Sequence, residues 1–448
     1  MSRPLVIVHG WSDSSDSFKK LARDLKASSI ATEITTIDLG EYESLNDTVN
    51  LDDVAFALDR IWKSQNLPTA TRSVDIITHS TGALVVRNWL TSYFADRMGP
   101  VFHFVMLAPA NFGSPLAHKG RSFIGRVLKG WKADHPGEVG EMILDSLELA
   151  SRFSWDLALK DCMAATGANP YSSAGILATV LVGNEGYDGI RSIANEPGTD
   201  GTVRVATANL NCIHLTADFA NPIVGQPIPM RQLSGIAFRV LGKENHGSIV
   251  EGKSSENAEA FALICEALTL APNAYDAFAQ RMAAANKAEW LDVTATKSAQ
   301  HAYNNVVMRV RDDRGQDIDN YLIEFFVARE TDAHPAALTR IFNEDVIESV
   351  HCYDRNKAYR SFHLDISTLM SQTIAAQGVD LRFSLSATPA FRDDRSAGYK
   401  SWKITDLHDV KIPVLPGTPM FQPFQTILVD ITIPRKVGDD VFRLKRVP

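Results

Sequence analysis

The stretch Val74 to Val86, read as VDIITHSTGALVV, constrains the fold of this chain more than any other. It opens with the apolar, β-branched residues Val74, Ile76 and Ile77, which suit a buried strand. It closes with the helix formers Ala83 and Leu84. Only THSTG, Thr78 to Gly82, lies between, so strand must pass into helix through one tight turn with Ser80 at its apex. This spacing predicts a nucleophile elbow, in which a strained turn presents the serine hydroxyl above the sheet. Gly82 supplies the small neighbour such a turn needs. Thr78 stands where a glycine is usual and calls for slightly wider local packing. An ordinary N-cap serine would carry the same letters. Placement between a buried strand and a helix favours the elbow.

The flanking sequence repeats the same alternation. Leu5 to Val8, Ile34 to Ile37, Phe102 to Leu107, Ile176 to Val182 and Ala237 to Leu241 read as short buried strands. Helical patterns lie among them over Phe18 to Lys26 and Asp52 to Trp62. That order predicts an α/β domain with a parallel sheet. The first strand ends in His9-Gly10-Trp11. A glycine there lets the backbone approach a ligand. The N–H of Trp11 would then join the N–H of Thr81 in an oxyanion hole. His9 reads as a brace rather than a catalyst. Residues 112–170 form a long insertion, expected to act as a cap, with a second helix over Glu138 to Ala158.

A serine hydroxyl needs a base, and the base needs an orienting carboxylate. In a strand-ordered α/β sheet of this kind the three follow as Ser, Asp, His. Asp200-Gly201, in EPGTDGTVRVATA, is a carboxylate on a glycine loop anchored by Val203 and Val205; Asp188-Gly189 is its rival. Among twelve histidines, His246 alone follows a late strand and precedes a final helix, in the loop GKENHGSIVEG. His214 lies inside the strand pattern Cys212 to Leu215 and reads as structural. His79, beside Ser80, should project away from the nucleophile.

With 448 residues the chain exceeds one typical domain. A net charge of -8 argues against nucleic acid as a partner. The four cysteines fit neither a disulfide framework nor a zinc spacing, and neither metal nor cofactor is called for. The chain reaches a strand at once, so no signal peptide is expected, and no apolar run is long and clean enough to span a bilayer. The segment SFIGRVLKGWK sets Phe123, Leu128 and Trp131 among Arg126, Lys129 and Lys132. Such a basic amphipathic helix suits a membrane surface, or equally a lid packed on the core. Past about residue 270, Tyr275 to Ala288 reads as a linking helix. Strand patterns then follow, including Val306 to Arg311, Leu322 to Ala328, Val346 to Tyr353, Tyr359 to Ile366, Leu381 to Ala387, Tyr399 to Ile404 and Thr426 to Ile433. They predict a twisted antiparallel, sandwich-like β domain over 271–448. Met420, Phe421 and Phe424 are either exposed lipid or subunit contacts or a buried loop anchor.

The segments HGW, THSTG, APANFGSPLA, DGTV and ENHGS together resemble the bacterial PlaB family of phospholipases A and lysophospholipases. The resemblance implies an α/β-hydrolase domain over 1–270 and a C-terminal β-rich domain. Residue by residue it implies Ser80 as nucleophile, Asp200 as acid and His246 as base. It further implies hydrolysis of phospholipid and lysophospholipid acyl esters, peripheral membrane association without a signal peptide, and homo-oligomers. Thr78 departs from general hydrolases yet fits this family. A soluble carboxylesterase or neutral lipase would carry the same triad. An inert membrane adaptor would not need it.

Overall fold

The computed structural model describes residues 3–10, 18–37, 47–117, 140–164, 169–189, 192, 195–221, 228–290, 301–329, 336–374, 379–407, 412–413, 419–442, 444 and 446. They form two compact units, Met1–Cys212 with Leu233–Asp292 and Ile213–Gln232 with Val293–Pro448.

The first unit is built on β1 (Leu5–Val8), β2 (Ile34–Ile37), β3 (Val74–His79), β4 (Val101–Leu107) and β5 (Leu177–Gly183). The chain then gives β6 (Cys212–Asp218) and β7 (Met230–Leu233) to a sheet of the second unit, and returns as β8 (Ala237–Leu241). The six strands of the first unit run parallel in the order β2-β1-β3-β4-β5-β8. All six residues of β3 are buried, as a central parallel strand covered on both faces requires.

The helices of this unit are α1 (Lys19–Ala27), α2 (Leu51–Ser64), α3 (Gly82–Tyr93), α4 (Glu141–Leu147), α5 (Arg152–Lys160), α6 (Val205–Ala208), α7 (Ala258–Thr269) and α8 (Tyr275–Trp290). Leu21 and Leu25 of α1, Phe261 and Ile264 of α7, and Phe278 and Met282 of α8 share one core with Leu5, Ile7, Ile77 and Val105. Asn50 starts α2 through a capping box: its side chain accepts from the Asp52 and Asp53 N–H groups, while Asp53 accepts from the Asn50 N–H. Trp62 of α2 meets Trp89 of α3 with ring centres 4.7 Å apart.

The single helix expected over Glu138 to Ala158 is two, α4 and α5. Ala150 takes φ +61°, and the Ser151 hydroxyl then caps α5 by accepting from the Ser154 N–H. Of the cap region expected over 112–170, residues 118–139 and 165–168 lie outside the described residues, and the basic segment Phe123 to Trp131 lies there with them.

The second unit contains β9 (Tyr303–Asp312), β10 (Tyr321–Arg329), α9 (Ala336–Ile341), β11 (Ile347–Cys352), β12 (Tyr359–Asp365), α10 (Ile366–Ile374), β13 (Val379–Ala387), β14 (Ala397–Tyr399), β15 (Ile412–Pro413), β16 (Thr426–Ile433) and β17 (Arg435–Val437). Its larger sheets are ordered β11-β12-β9-β16-β6-β7 and β10-β13-β15. β13 alternates strictly between buried and half-buried residues, the period of a strand with one face on a core. Met308, Phe362, Val429 and Ile431 of one sheet share that core with Phe325, Leu381 and Phe383 of the other.

The unit is not wholly antiparallel, as the sequence pattern suggested, because β16 runs parallel to β9. The strand expected over Tyr399 to Ile404 is shorter: β14 ends at Tyr399, and Asp406 turns the chain by accepting from the Lys403 N–H. Phe421 and Phe424 are buried and Met420 packs on the same core, so the stretch is a loop anchor and not an exposed contact. No described helix is long and apolar enough to cross a membrane. The architecture is an α/β-hydrolase sheet with an added β-rich region.

Candidate active site

Ser80 sits between β3 and α3 with φ +53°, the left-handed backbone that ordinary residues avoid. The turn is held by its own main chain: the Ser80 N–H donates to the Leu107 carbonyl at 3.0 Å, and the Ser80 carbonyl accepts from Ala83 at 3.3 Å. Two glycines make the geometry fit. A Cβ on Gly82 would lie 2.8 Å from the carbonyl oxygens of Val8 and His9, so α3 starts directly against the end of β1. A Cβ on Gly10 would lie 3.0 Å from Ser80 Cβ and 3.6 Å from Thr81 N. Gly10 therefore brings the loop after β1 up to the elbow. Thr81 follows the serine as the residue before α3. Trp11, the other expected oxyanion donor, lies outside the described residues.

Asp200 is fully buried, on the loop that leads to α6. Its Oδ1 accepts from the main-chain N–H groups of Thr202 at 2.9 Å and Val203 at 2.7 Å. Its Oδ2 faces His246 Nδ1 at 2.9 Å. The His246 N–H also donates to the Asp200 carbonyl at 2.9 Å, so main chain and side chain fix the same pair. His246 follows β8 in a turn pinned by Asn245, whose side-chain oxygen accepts from the Gly247 and Ser248 N–H groups. Beside it Glu244 is buried, and burial raises its carboxyl above the ordinary value; it accepts from the Ser248 hydroxyl. Asp188, the rival acid, is exposed.

His79 points toward the base loop rather than the elbow. Its Nε2 lies 2.9 Å from the His246 carbonyl oxygen and its ring stands 4.7 Å from the His246 ring. Phe18 stacks edge-on against His79 from behind, and His9 against Phe18. Sequence reasoning placed His79 away from the nucleophile and assigned it nothing further. Its contact joins residues 167 positions apart, which no local pattern could reveal.

A second group of residues, unassigned by the sequence, fastens α3. Arg87 is fully buried and pairs with Asp161 through Nε to Oδ2 at 2.7 Å and Nη2 to Oδ1 at 3.0 Å. Its Nη1 donates to Asn111 Oδ1 at 3.1 Å. The Tyr171 hydroxyl donates to Asp161 at 2.8 Å. Asn111, in the APANFG loop after β4, donates onward to the Ala208 carbonyl at 2.7 Å. Burial alone would raise the Asp161 carboxyl, but the adjacent Arg87 charge outweighs it and holds the group below its ordinary value. The network ties the helix behind Ser80 to α6, just past Asp200. No cluster of three or more metal-ligating side chains occurs among the described residues.

A family model described as palmitoyl protein thioesterase matches residues 4–119, which include β1, the elbow and β4. The solved structure of phospholipase PlaB from Legionella pneumophila is 25% identical, with a TM-score of 0.79, and the match covers 99% of this chain and 96% of that one. The structure of the same protein in complex with thio-NAD is 24% identical with a TM-score of 0.78, again over 99% and 96%. No curated protein sequence matches the chain. Along nearly its whole length the chain is therefore similar in structure to a bacterial phospholipase, with a local match to a thioesterase family model over the segment that contains Ser80.

Proposed function

We propose that this protein is a serine hydrolase that cleaves acyl esters of glycerophospholipids and lysophospholipids. Ser80 Oγ attacks the ester carbonyl while His246 Nε2 takes its proton. Asp200 accepts from His246 Nδ1, fixes the tautomer and stabilises the imidazolium. The N–H groups of Thr81 and Trp11 receive the oxyanion. His246 returns the proton to the departing glyceryl oxygen, leaving an acyl-serine. Water, deprotonated by His246, then attacks that ester and frees the fatty acid and Ser80.

The observation that carries this reading is the buried Asp200–His246 pair in the same unit as a serine held at φ +53°. The likeness to a phospholipase supports a lipid-type ester. The thioesterase match favours a second substrate class, acyl thioesters, which the same carbonyl chemistry would serve. Peripheral membrane contact through Phe123, Leu128 and Trp131, and homo-oligomers, belong to the proposal on the strength of the sequence alone.

The test combines a fluorophosphonate probe with a substrate panel of phosphatidylglycerol, lysophosphatidylcholine, triacylglycerol, an acyl thioester and a short p-nitrophenyl ester. The expected result is probe labelling at Ser80, at least about 10³-fold loss in Ser80→Ala, and preference for the two phospholipids. Labelling elsewhere, or a folded Ser80→Ala with near-parent turnover, overturns the assignment. Preference for triacylglycerol or the short ester makes the protein a neutral lipase or carboxylesterase.

A further inference from the structure

His246 sits in the middle of a turn whose two ends are tied to each other. Glu244 opens the turn and Ser248 closes it, and the Ser248 hydroxyl donates to the Glu244 carboxylate past the histidine. A serine hydroxyl has one hydrogen to give. Its oxygen also accepts from the Asn245 N–H at 3.0 Å, so the hydrogen is left for Glu244. The other acceptor in reach, the Asn245 carbonyl, stands 3.5 Å away, beyond the usual range of an O–H···O bond. The main chain of the turn is seated separately. The Glu244 carbonyl accepts from the Glu185 N–H at 3.0 Å, and the Ser248 carbonyl from Asn257 Nδ2 at 3.0 Å. A Cβ on Gly183 would lie 2.0 Å from the Glu244 carbonyl oxygen, so the turn rests on the end of β5.

A carboxylate is a costly choice for this place. Glu244 is only 4% exposed. The charged groups that face it are Glu251 just past the turn, Glu185 after β5 and Glu256 before α7, all of its own sign. Burial first, and those charges after it, raise the carboxyl above its ordinary value, against the Ser248 hydrogen bond that lowers it. A carboxyl raised in this way binds its proton more readily in the folded chain than in the unfolded one. Above its folded pKa it therefore subtracts from stability, and that cost fades as the pH falls. A perturbed, destabilising acid next to a candidate base points to a role in function rather than in packing. On the reading of His246 as the base, we propose that Glu244 is a positioning residue: through Ser248 it closes the turn and holds the imidazole in line with Asp200 and Ser80. Asp200 and His79 fix the ring nitrogen and the main chain of His246 itself. The Glu244–Ser248 bond fixes the residues on either side.

The experiment uses the full chain and a short soluble ester. Glu244→Met keeps a side chain of similar length and removes the acceptor, and Ser248→Ala removes the donor. Each should lower kcat roughly three- to tenfold with KM little changed. Labelling of Ser80 by a fluorophosphonate, which needs the same base, should slow in proportion. Glu244→Gln still offers Ser248 an amide oxygen and should keep kcat within about twofold of the parent. Its thermal midpoint at neutral pH should hold or rise, because the buried charge is gone. The double variant Glu244→Met with Ser248→Ala should be no slower than the slower single variant, since both changes break one bond. A folded Glu244→Met with parent-like kcat overturns the proposal. So does a loss confined to KM, an additive loss in the double variant, or a Glu244→Gln as slow as Glu244→Met. Should Glu244→Met not fold, Ser248→Ala decides by the same criterion. His246→Ala separates the two levels of the argument. Turnover retained in that variant, if folded, removes His246 as the base and Glu244 with it. Turnover lost there, beside parent-like Glu244→Met and Ser248→Ala, removes Glu244 alone.

Discussion

The ring Nε2 of His79 donates a hydrogen bond to the main-chain carbonyl of His246 at 2.9 Å, so the residue beside the candidate nucleophile holds the loop of the candidate base. A carbonyl can only accept, and Nε2 must therefore carry the hydrogen. Replacing His79 by Phe keeps a ring against His246 and removes the donor. A single hydrogen bond contributes about 0.5–1.5 kcal/mol net, so kcat on a short soluble ester should fall roughly three- to tenfold with KM little changed. His79→Gln, which restores an N–H near the same place, should recover part of the loss. Parent-like kcat in His79→Phe would remove the positioning role.

Asp200 and Asp188 are separated by a single pair of variants. In Asp200→Asn the amide oxygen stays with the Thr202 and Val203 N–H groups, which need an acceptor. The NH2 group then faces His246 Nδ1 and forces the wrong tautomer. The expected loss is on the order of 10⁴ in kcat with the fold intact by circular dichroism. Asp188 is exposed, and Asp188→Asn should stay within about twofold. The opposite ranking would move the acid to Asp188.

Much of this site could be read from the chain because its parts lie at strand ends. Val74 to Ile77 is a buried strand by composition, and Gly82 follows Ser80 by two residues, so local chemistry alone placed the elbow. His246 stood out as the candidate base because only one histidine follows a late strand. Partners that meet through tertiary packing were not legible. His79 reaches His246, and Arg87 reaches Asp161, 74 positions away. The strand at Cys212 to Leu215 was recognised by its residues, but its sheet was not. An alternating or β-branched segment records that it pairs, and not with which neighbour, so β6 went unassigned to the second unit. The parallel pairing of β16 with β9 was hidden for the same reason.

Arg87 and Asp161 give a stability prediction with a built-in control. Both are buried, and the pair is fully hydrogen-bonded through Asn111 and Tyr171. Arg87→Met strands the Asp161 carboxylate without its cation, which costs about 3–5 kcal/mol. Asp161→Leu strands the guanidinium and should cost a similar amount. The double variant Arg87→Met with Asp161→Leu should recover most of the loss, since apolar side chains of similar volume replace a buried pair at little net cost. Urea melts of the three variants measure this. Additive losses in the double variant would show that the two groups act separately.

His214 supplies a pH prediction for the second unit. It lies on β6, and Arg231 Nη2 donates to its Nδ1 at 2.9 Å, which requires a neutral ring accepting at that nitrogen. Burial, followed by the charges of Arg231 and Arg311, lowers its pKa from the usual 6.5 to about 4. Asp430 pairs with Arg311 at 3.1 Å on the neighbouring strand and offsets part of that positive field. A lowered histidine pKa means that the unfolded chain binds the proton more readily than the folded one. The contribution to stability is therefore whole above pH 6.5, declines as the pH falls, and levels off near pH 4. With solvent screening allowed for, the swing is roughly 1–2 kcal/mol. His214→Gln, which cannot titrate and still offers Arg231 an acceptor, should flatten the thermal-midpoint profile between pH 6.5 and 4 without changing it above pH 7. A parent and variant that lose stability in parallel across that window would show that His214 is not the group responsible.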